Sequence, residues 1–456
     1  MEEVLEEIIP SEQEKRELEQ TTEFVKNRVN EIAKDYEISV EPRLVGSSSR
    51  GTWISGDRDI DVFILLPKTL EEEEFRQKGL KIAREVAQEA DTYQEDYAEH
   101  PYITARFGSF LVDLVPAYDV EDASEVTSAV DRTPLHDRYV SKRLDDELKK
   151  CIRLLKKFMK SNNVYGAELK VKGFSGYLTE LLVLEYGKKG QSGIESFKDV
   201  LRASGNWKKG QVIDLEDHGV KQKFDAPLIV IDPIDPNRNV AAALEMEQWA
   251  KFIGASMAYL ENSKKSFFVE NREKEYSSEE LVKTIEERKT RLIGLEFNLP
   301  DLVDDTLYPQ LYKTENWLKK LLRQEEFDLI RSGVYRDNEK ALVLFEVWND
   351  LPRVEKHIGP PVTSKKHSKS FIEKYKNQEV FCGPYIEKDR WVVERKREYV
   401  HPENLIEQKT EDIKQSGIGK NLKRVDKKVL SGPSLLKEKY LSFIGDFLTK
   451  KAVWLD

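Results

Sequence analysis

The sequence predicts an α+β protein of several domains, and three observations predict it. Strand-like runs alternate with helical patterns from the start of the chain to about residue 120. The pattern turns helical between Arg143 and Glu185. Beyond Asn262, strand-like runs again alternate with charged helices. The chain has 456 residues, enough for about two to four domains.

Residues 11–34 place Leu18, Thr22, Val25, Val29 and Ile32 at helical spacing. "ISVEPRLVG" (38–46) then reads as a strand, "SSSRGTW" as a turn, and Asp59–Leu66 as a second strand. The segment 69–90 reads as a long helix with charged outer positions. "YITARFGSFLVDLVPAY" (102–118) reads as a hairpin turning at Gly108-Ser109. Further on, Cys151, Leu154, Leu155, Phe158 and Met159 mark one face of a helix that Asn162, Asn163 and Gly166 break. "SGYLTELLVLEYG" is a second, strongly apolar helix. The segment 226–257 gives a short buried strand, a Pro/Asp/Asn turn and a helix starting near Asn239. "FDLIRSGVYR", "KALVLFEVW" and "RWVVERKREYV" are the strand-like runs of the last third.

Composition narrows the function classes. Hydrophobic residues make up 39% and charged residues 35%, as in a soluble protein with several modest cores. No stretch approaches the apolar length of about 20 residues that a membrane span needs. The acidic, helical opening "MEEVLEEIIPSEQEKRELEQ" is unlike a secretory signal. Cys151 and Cys382 are too few and too far apart for a disulfide framework or a zinc site, so a reducing, cytoplasmic setting is expected. The net charge of −10 argues against a general nucleic-acid binder. It does not exclude a local positive face, because 74 basic and 84 acidic residues are evenly mixed.

The chemistry concentrates in "GSSSRGTWISGDRDIDVFILLP" (46–67). A strand's period of two puts Asp59 and Asp61 on one face, about 7 Å apart, and turns Ile60 and Val62 into the core. Two such carboxylates repel unless a cation lies between them. Hard divalent ions such as Mg²⁺ take oxygen ligands of this kind together with substrate phosphates. "SFLVDLVPAY" supplies a third acid, Asp113, in an apolar setting where an ionised group needs a partner. Three such acids on neighbouring strands can hold two metals for in-line phosphoryl chemistry. A lone Asp-x-Asp is more often a turn or a solvated strand end. Here Gly46-Ser47 ends a strand and opens a short helix about a dozen residues upstream, which presents backbone N–H groups to phosphate.

This order of features resembles the polymerase-beta-like nucleotidyltransferases. "GSSSRGTWISGDRDIDVF", "AEHPY", "VDLVPAY", "SAVDRTPLH", "YGAE", "KGFSGYLTELLVLEYG" and "DPIDPNRNVAA" follow the order and spacing of archaeal CCA-adding enzymes. The resemblance covers roughly residues 40–250 and continues more loosely through "KHIGPPV" and "GPYIEKDRW". It implies a nucleotidyltransferase head at 1–142 with a mixed sheet and helices, a mainly helical, nucleotide-binding neck at 143–257, and body and tail α+β domains for tRNA at 258–456. It implies template-independent addition and repair of the 3′-terminal CCA of tRNA from CTP and ATP, with release of pyrophosphate.

Roles follow from the resemblance. Asp59 and Asp61 are expected to bridge two Mg²⁺ ions, and Asp113 to help hold the ion that activates the tRNA 3′-hydroxyl. Ser47 and the backbone around Ser48 are the first candidates for the triphosphate. His136, Lys156 and Tyr165 follow by motif, with Arg50 as a further contributor. Lys156 is expected near the polar edge of its helix, its head reaching a cleft. Taken singly, these residues have plainer readings: a solvated lysine, a packing tyrosine, a surface histidine. Arg238 occupies the base-reading position. An arginine only donates, so it can bond to the acceptors cytosine N3 and adenine N1 and rejects uracil and guanine, which carry a hydrogen there. The plainer reading of Arg238 is an ion pair with Asp232 or Asp235.

The acceptor stem and T-arm are assigned to 256–456 as a region. Basic clusters lie there at 356–369, 395–397 and 420–428, with Tyr385, Trp391 and Tyr399 among them. A homodimer accords with the family. Rival readings are a poly(A) polymerase, an oligoadenylate or cyclic-dinucleotide synthase, and a catalytically inactive RNA-binding protein.

Overall fold

The computed structural model describes residues 1–97, 101–219, 224–270, 274–348, 350–412 and 416–455. The chain folds as two units, Met1–Asn271 with Ala452–Asp456, and Arg272–Lys451. The first part of the "AEHPY" motif, 98–100, lies outside the described residues.

The first unit opens with α1 (Glu2–Ile8) and α2 (Glu12–Asp35). Ser11 and Glu14 form a reciprocal capping box that fixes the start of α2. β1 (Glu41–Val45) runs into the short helix α3 (Gly46–Arg50), and β2 spans Asp59–Leu66. α4 (Glu72–Ala87), β3 (Thr92–Tyr97), β4 (Pro101–Phe107) and β5 (Phe110–Tyr118) complete the head. The strands order as β1-β2-β5-β4-β3. β2 and β5 run parallel, and the other neighbours are antiparallel.

Strand parity divides this sheet. Ile60, Val62, Ile64 and Leu66 of β2 join Val112 and Leu114 of β5 in a core with Val25 and Val29 of α2 and Ile82 and Val86 of α4. Phe63 and Leu65 turn the other way, with Val115 and Ala117. Asp59, Asp61 and Asp113 share the parity of that second face. A one-residue slip would bury the acids under the helices, so the register is strongly specified.

The helical part follows with α5 (Thr133–Ser141), α6 (Asp146–Ser161), α7 (Gly176–Tyr186) and α8 (Gly193–Ser204). A two-stranded parallel ribbon, β6 (Gln211–Ile213) and β7 (Leu228–Val230), leads to α9 (Met246–Glu261). Asp145 caps α6 through the Leu148 N–H, and Ser175 caps α7 through the Leu178 N–H. Phe158 centres an aromatic core with Phe197, Phe252, Tyr259, Phe267 and Phe268.

The helix expected near Asn239 starts at Met246 instead. Asn239 Oδ1 accepts from the Val230 and Ala241 N–H groups, and Val240 N–H donates to Val230 O. These bonds commit 239–241 to β7 and hold that stretch out of the helix. The "ISVEPRLVG" strand is also shorter than expected, and β3 is an added strand pairing the edge of β4.

In the second unit, α10 (Ser278–Arg288), β8 (Thr290–Asn298), α11 (Asp304–Gln324), β9 (Leu329–Arg336) and β10 (Lys340–Trp348) come first. β11 (Val354–Pro361), α12 (Lys365–Lys376), β12 (Cys382–Glu387), β13 (Arg390–Lys396), α13 (Pro402–Glu411), β14 (Lys427–Ser431) and α14 (Glu438–Leu448) follow. A four-stranded antiparallel sheet orders as β14-β8-β10-β9, and a three-stranded one as β11-β13-β12. Val343 and Phe345 of β10 pack into one core with Leu311 and Leu318 of α11. Leu342 and Leu344 pack into another with Tyr440 and Ile444 of α14. With both faces covered, Ala341 to Phe345 of β10 form a continuous apolar run rather than an alternating one.

Candidate active site

Asp61 and Asp113 are register partners across the parallel β2–β5 pair, and Asp59 begins β2 on the same face. Asp59 is exposed, while Asp61 and Asp113 are half-buried. Thr104 on β4 donates from Oγ1 to Asp113 Oδ1 at 2.6 Å and fixes that carboxylate. Gly46 sits at φ +80°, and a Cβ there would collide with Asp61 Oδ2. Only glycine allows both this backbone and this approach.

The electrostatics of the trio call for a cation. Burial, then the charges of Asp113 and Asp59, push the Asp61 carboxyl up to about 7. Burial also raises Asp113, against the lowering effect of the Thr104 bond. Asp59, though exposed at the strand start, is raised by partial desolvation of its carboxyl and by Asp57, with Lys160 opposing. The donor set is all oxygen and suits a hard divalent ion. Among the described residues no three His, Cys, Asp or Glu side chains form a ready-made ligand cage. The three aspartates are aligned on one face of the sheet.

The turn after β1 is tied down on every side. Ser48 Oγ donates to Asp59 O at 2.9 Å, and Thr52 N–H donates to Ser47 O at 2.9 Å. Gly46 N–H and Ser49 Oγ both donate to the carboxylate of Asp137 on α5, at 3.1 and 2.9 Å. Ser47 and Ser48, both half-buried, therefore stand on a fixed turn beside Asp59 and Asp61.

Arg50, expected as a further triphosphate contact, is held by two carboxylates. Its side chain is only 7% exposed, with one end on Asp137 at 2.6 Å and the other on Glu180 of α7 at 2.9 Å. Despite burial, these two carboxylates raise its already high pKa. The expectation for Lys156 is likewise corrected. Its head does not reach a cleft but is buried, donating to Thr52 O at 3.2 Å with Glu180 Oε1 at 3.9 Å. Burial pulls the ammonium down to about 8, against the attraction of Glu180. Thr52 Oγ1 donates to the same Glu180 at 2.7 Å. Both cations thus brace the turn from beneath. Tyr165 lies on the segment after α6, its hydroxyl raised by burial, with Lys160 Nζ 5.5 Å from its ring centroid.

His136 and Arg238 meet on one carboxylate. His136 Nε2 lies 2.9 Å from Asp232 Oδ2, and Arg238 donates to the same oxygen at 2.8 Å. The ion pair weighed as the plain reading of Arg238 is therefore present. Tyr177 stacks on His136 with ring centroids 4.1 Å apart. Pro233 and Ile234 line a cavity of about 320 Å³ with Asp122, Arg138, Tyr139 and Arg143, and Asp59, Asp61 and Asp113 do not line it.

Sequence reasoning missed Asp137, Glu180 and Tyr177. The signal available for Glu180 was an acid inside the most apolar helix of the chain, which burial makes costly without a partner.

In the second unit, Arg395 is paired to Glu355 at 2.5 Å and Arg397 to Glu326 at 2.8 Å. Tyr399 is 3% exposed, so its ring belongs to the core and not to an RNA surface. Lys423, Arg424, Lys427 and Lys428 line an open groove with Glu407 and Glu411.

A mixed sheet that sets three carboxylates on one face beside a glycine-opened turn defines a nucleotidyltransferase. Three family models match the chain: "Nucleotidyltransferase domain" at 25–136, "tRNA nucleotidyltransferase, second domain" at 150–269, and "CCA-adding enzyme, C-terminal domain" at 288–432. A CCA-adding enzyme of Methanosarcina barkeri is 42% identical over 89% of this chain and 87% of its own. Those of Methanosarcina mazei and Haloarcula marismortui are 38% and 37% identical, over 92% and 86% of this chain and 90% and 84% of theirs. A solved cytoplasmic RNA terminal U-transferase aligns over 59% of this chain and 97% of its own at 17% identity, with a TM-score of 0.46, too distant to argue from. The chain belongs to the CCA-adding enzymes, the tRNA nucleotidyltransferases whose archaeal members it matches over most of its length. Divalent metal ions are general in this class, and no helix among the described residues is long and apolar enough to cross a membrane.

Proposed function

We propose that this chain adds C, C and A to the 3′ end of tRNA from CTP and ATP, without a nucleic-acid template. The observation that carries the reading is the opposed pair Asp61–Asp113, with Asp59 beside it and the Gly46 turn next to it. In each cycle the 3′-hydroxyl oxygen bonds to the α-phosphorus, the bond to the β-phosphate breaks, and pyrophosphate leaves. Asp59, Asp61 and Asp113 are the residues that would hold the divalent ions, two Mg²⁺ in this reading. When bound, such ions acidify the hydroxyl and neutralise the departing charge.

The chain's own residues do the placing. The Ser47–Ser48 turn, His136 and Tyr165 face the triphosphate, and Arg50 and Lys156 stiffen the turn from below. Arg238 donates to cytosine N3 or adenine N1. Residues 1–142 carry the chemistry, 143–257 the nucleotide, and 258–456 the tRNA acceptor stem and T-arm. The groove at Lys423–Lys428 supports that last assignment. A cytoplasmic setting accords with the two free cysteines, Cys151 and Cys382. A homodimer belongs to the same proposal and is read from mass in solution.

The test is extension of tRNA lacking its CCA, with labelled CTP and ATP and sequencing of the product. Three nucleotides in the order C, C, A, lost in Asp61→Ala, are expected. An A-tail, a primer-free linkage or incorporation that survives Asp61→Ala overturns the proposal.

A further inference from the structure

The Asp232–Arg238 ion pair need not compete with base reading. Arginine has five N–H donors, and Asp232 takes one of them. The Asp232 side chain is fully buried, whereas 38% of the Arg238 side chain remains exposed. One nitrogen of the guanidinium is thus anchored while the side chain stays partly exposed. The carboxylate has further partners: His136 Nε2 at 2.9 and 3.1 Å, the Ile234 N–H at 3.0 Å and the Tyr177 hydroxyl at 3.4 Å. The backbone closes the same loop, since Asp232 N–H donates to Arg238 O at 3.0 Å and Arg238 N–H to Asp235 O at 2.9 Å.

We propose that Asp232 is a positioning residue for nucleotide selection, a single buried carboxylate that aims Arg238 at the base and orients His136 at the same time. The inference rests on the reading of Arg238 as the base reader. A free arginine samples many rotamers and donates to any acceptor within reach. An arginine pinned at one nitrogen offers its remaining donors along fixed directions, and discrimination by hydrogen bonding depends on such fixed directions. Because His136 shares the anchor, a disturbance at Asp232 reaches the base and the phosphates together. Burial alone would raise the Asp232 pKa, but the His136 bond and charge, with the Ile234 and Arg238 bonds, hold it near 2, so the anchor is ionised at any working pH.

The test compares Asp232→Asn, Arg238→Ala and the double variant in the full chain. CTP, ATP, UTP and GTP are supplied with Mg²⁺ and saturating tRNA lacking its CCA. The expected result for Asp232→Asn is a rise in KM for CTP and ATP of about tenfold and a similar fall in the CTP-over-UTP ratio, with kcat changed far less. Affinity for tRNA stays unchanged. The double variant is expected to discriminate no worse than Arg238→Ala alone, as two residues acting as a unit do.

If Arg238→Ala loses discrimination while Asp232→Asn keeps its KM values and ratio within twofold, the positioning role is overturned and the base-reading role stands. If Arg238→Ala itself discriminates normally, the base-reading role falls and this inference falls with it. Should Asp232→Asn not fold, Asp232→Glu keeps the charge and displaces the anchor by one methylene. It is expected to lower the same ratio, and an unchanged ratio overturns the proposal.

Discussion

Asp61 stands opposite Asp113 across the parallel β2–β5 pair, and a Cβ added at Gly46 would collide with its Oδ2. The carboxylate has no room to move toward the turn, so its direction is set by backbone on one side and by a neighbouring strand on the other.

Gly46→Ala tests that confinement. An added Cβ meets Asp61 Oδ2, and φ +80° strains any residue with a side chain. The expected cost is about 1–3 kcal/mol in urea unfolding. Displacement of Asp61 is expected to slow nucleotide incorporation by about 100-fold. Parent-like kinetics would show that Asp61 need not be held where it is.

Arg50 is expected to behave as a structural cation. Arg50→Ala leaves Asp137 and Glu180 buried without their shared partner and should cost about 3–5 kcal/mol. A variant that keeps its melting temperature but loses affinity for CTP would instead assign Arg50 to the triphosphate.

Lys156 gives a signature in pH. Its folded pKa, about 8, lies below the unfolded value of 10.5, so between these two pH values the unfolded chain binds more protons. Stability therefore rises with pH across that window by linkage. Lys156→Met should remove that part of the rise. Parallel stability–pH curves for parent and variant between pH 8 and 10.5 would contradict the burial of the ammonium.

Binding of tRNA by an acidic protein must rest on local positive charge. Affinity should fall steeply with salt. Changing Lys423, Lys427 and Lys428 to Ala should make the slope of log affinity against log salt shallower, by about 1 for each phosphate that a lysine no longer neutralises. An unchanged slope would remove the groove from the tRNA surface.

Much of the head was legible in the sequence. Asp59–Leu66 was bounded correctly because apolar parity inside the strand and a Pro after it are local signals. Asp113 was legible because an acid amid Leu and Val residues needs a reason. The second unit was less so: β8, β11 and β14 find their partners far along the chain, with charged residues inside their patterns, and β12 is interrupted by Gly383 and Pro384 although its partner β13 follows directly.

The sequence by itself determined which residue types line one face of β2 and β5, and where turn and strand meet. The tertiary structure alone decided where the cations sit. Arg50 and Lys156 read as triphosphate contacts from the sequence, and α7 brings Glu180 to both of them. Arg238 read as either ion pair or base reader, and the structure shows the ion pair with Asp232 on a side chain that stays 38% exposed. Parity and turn chemistry are local and survive in a one-dimensional reading. The burial of a charge is set by whatever packs over it, and those residues lie far away along the chain.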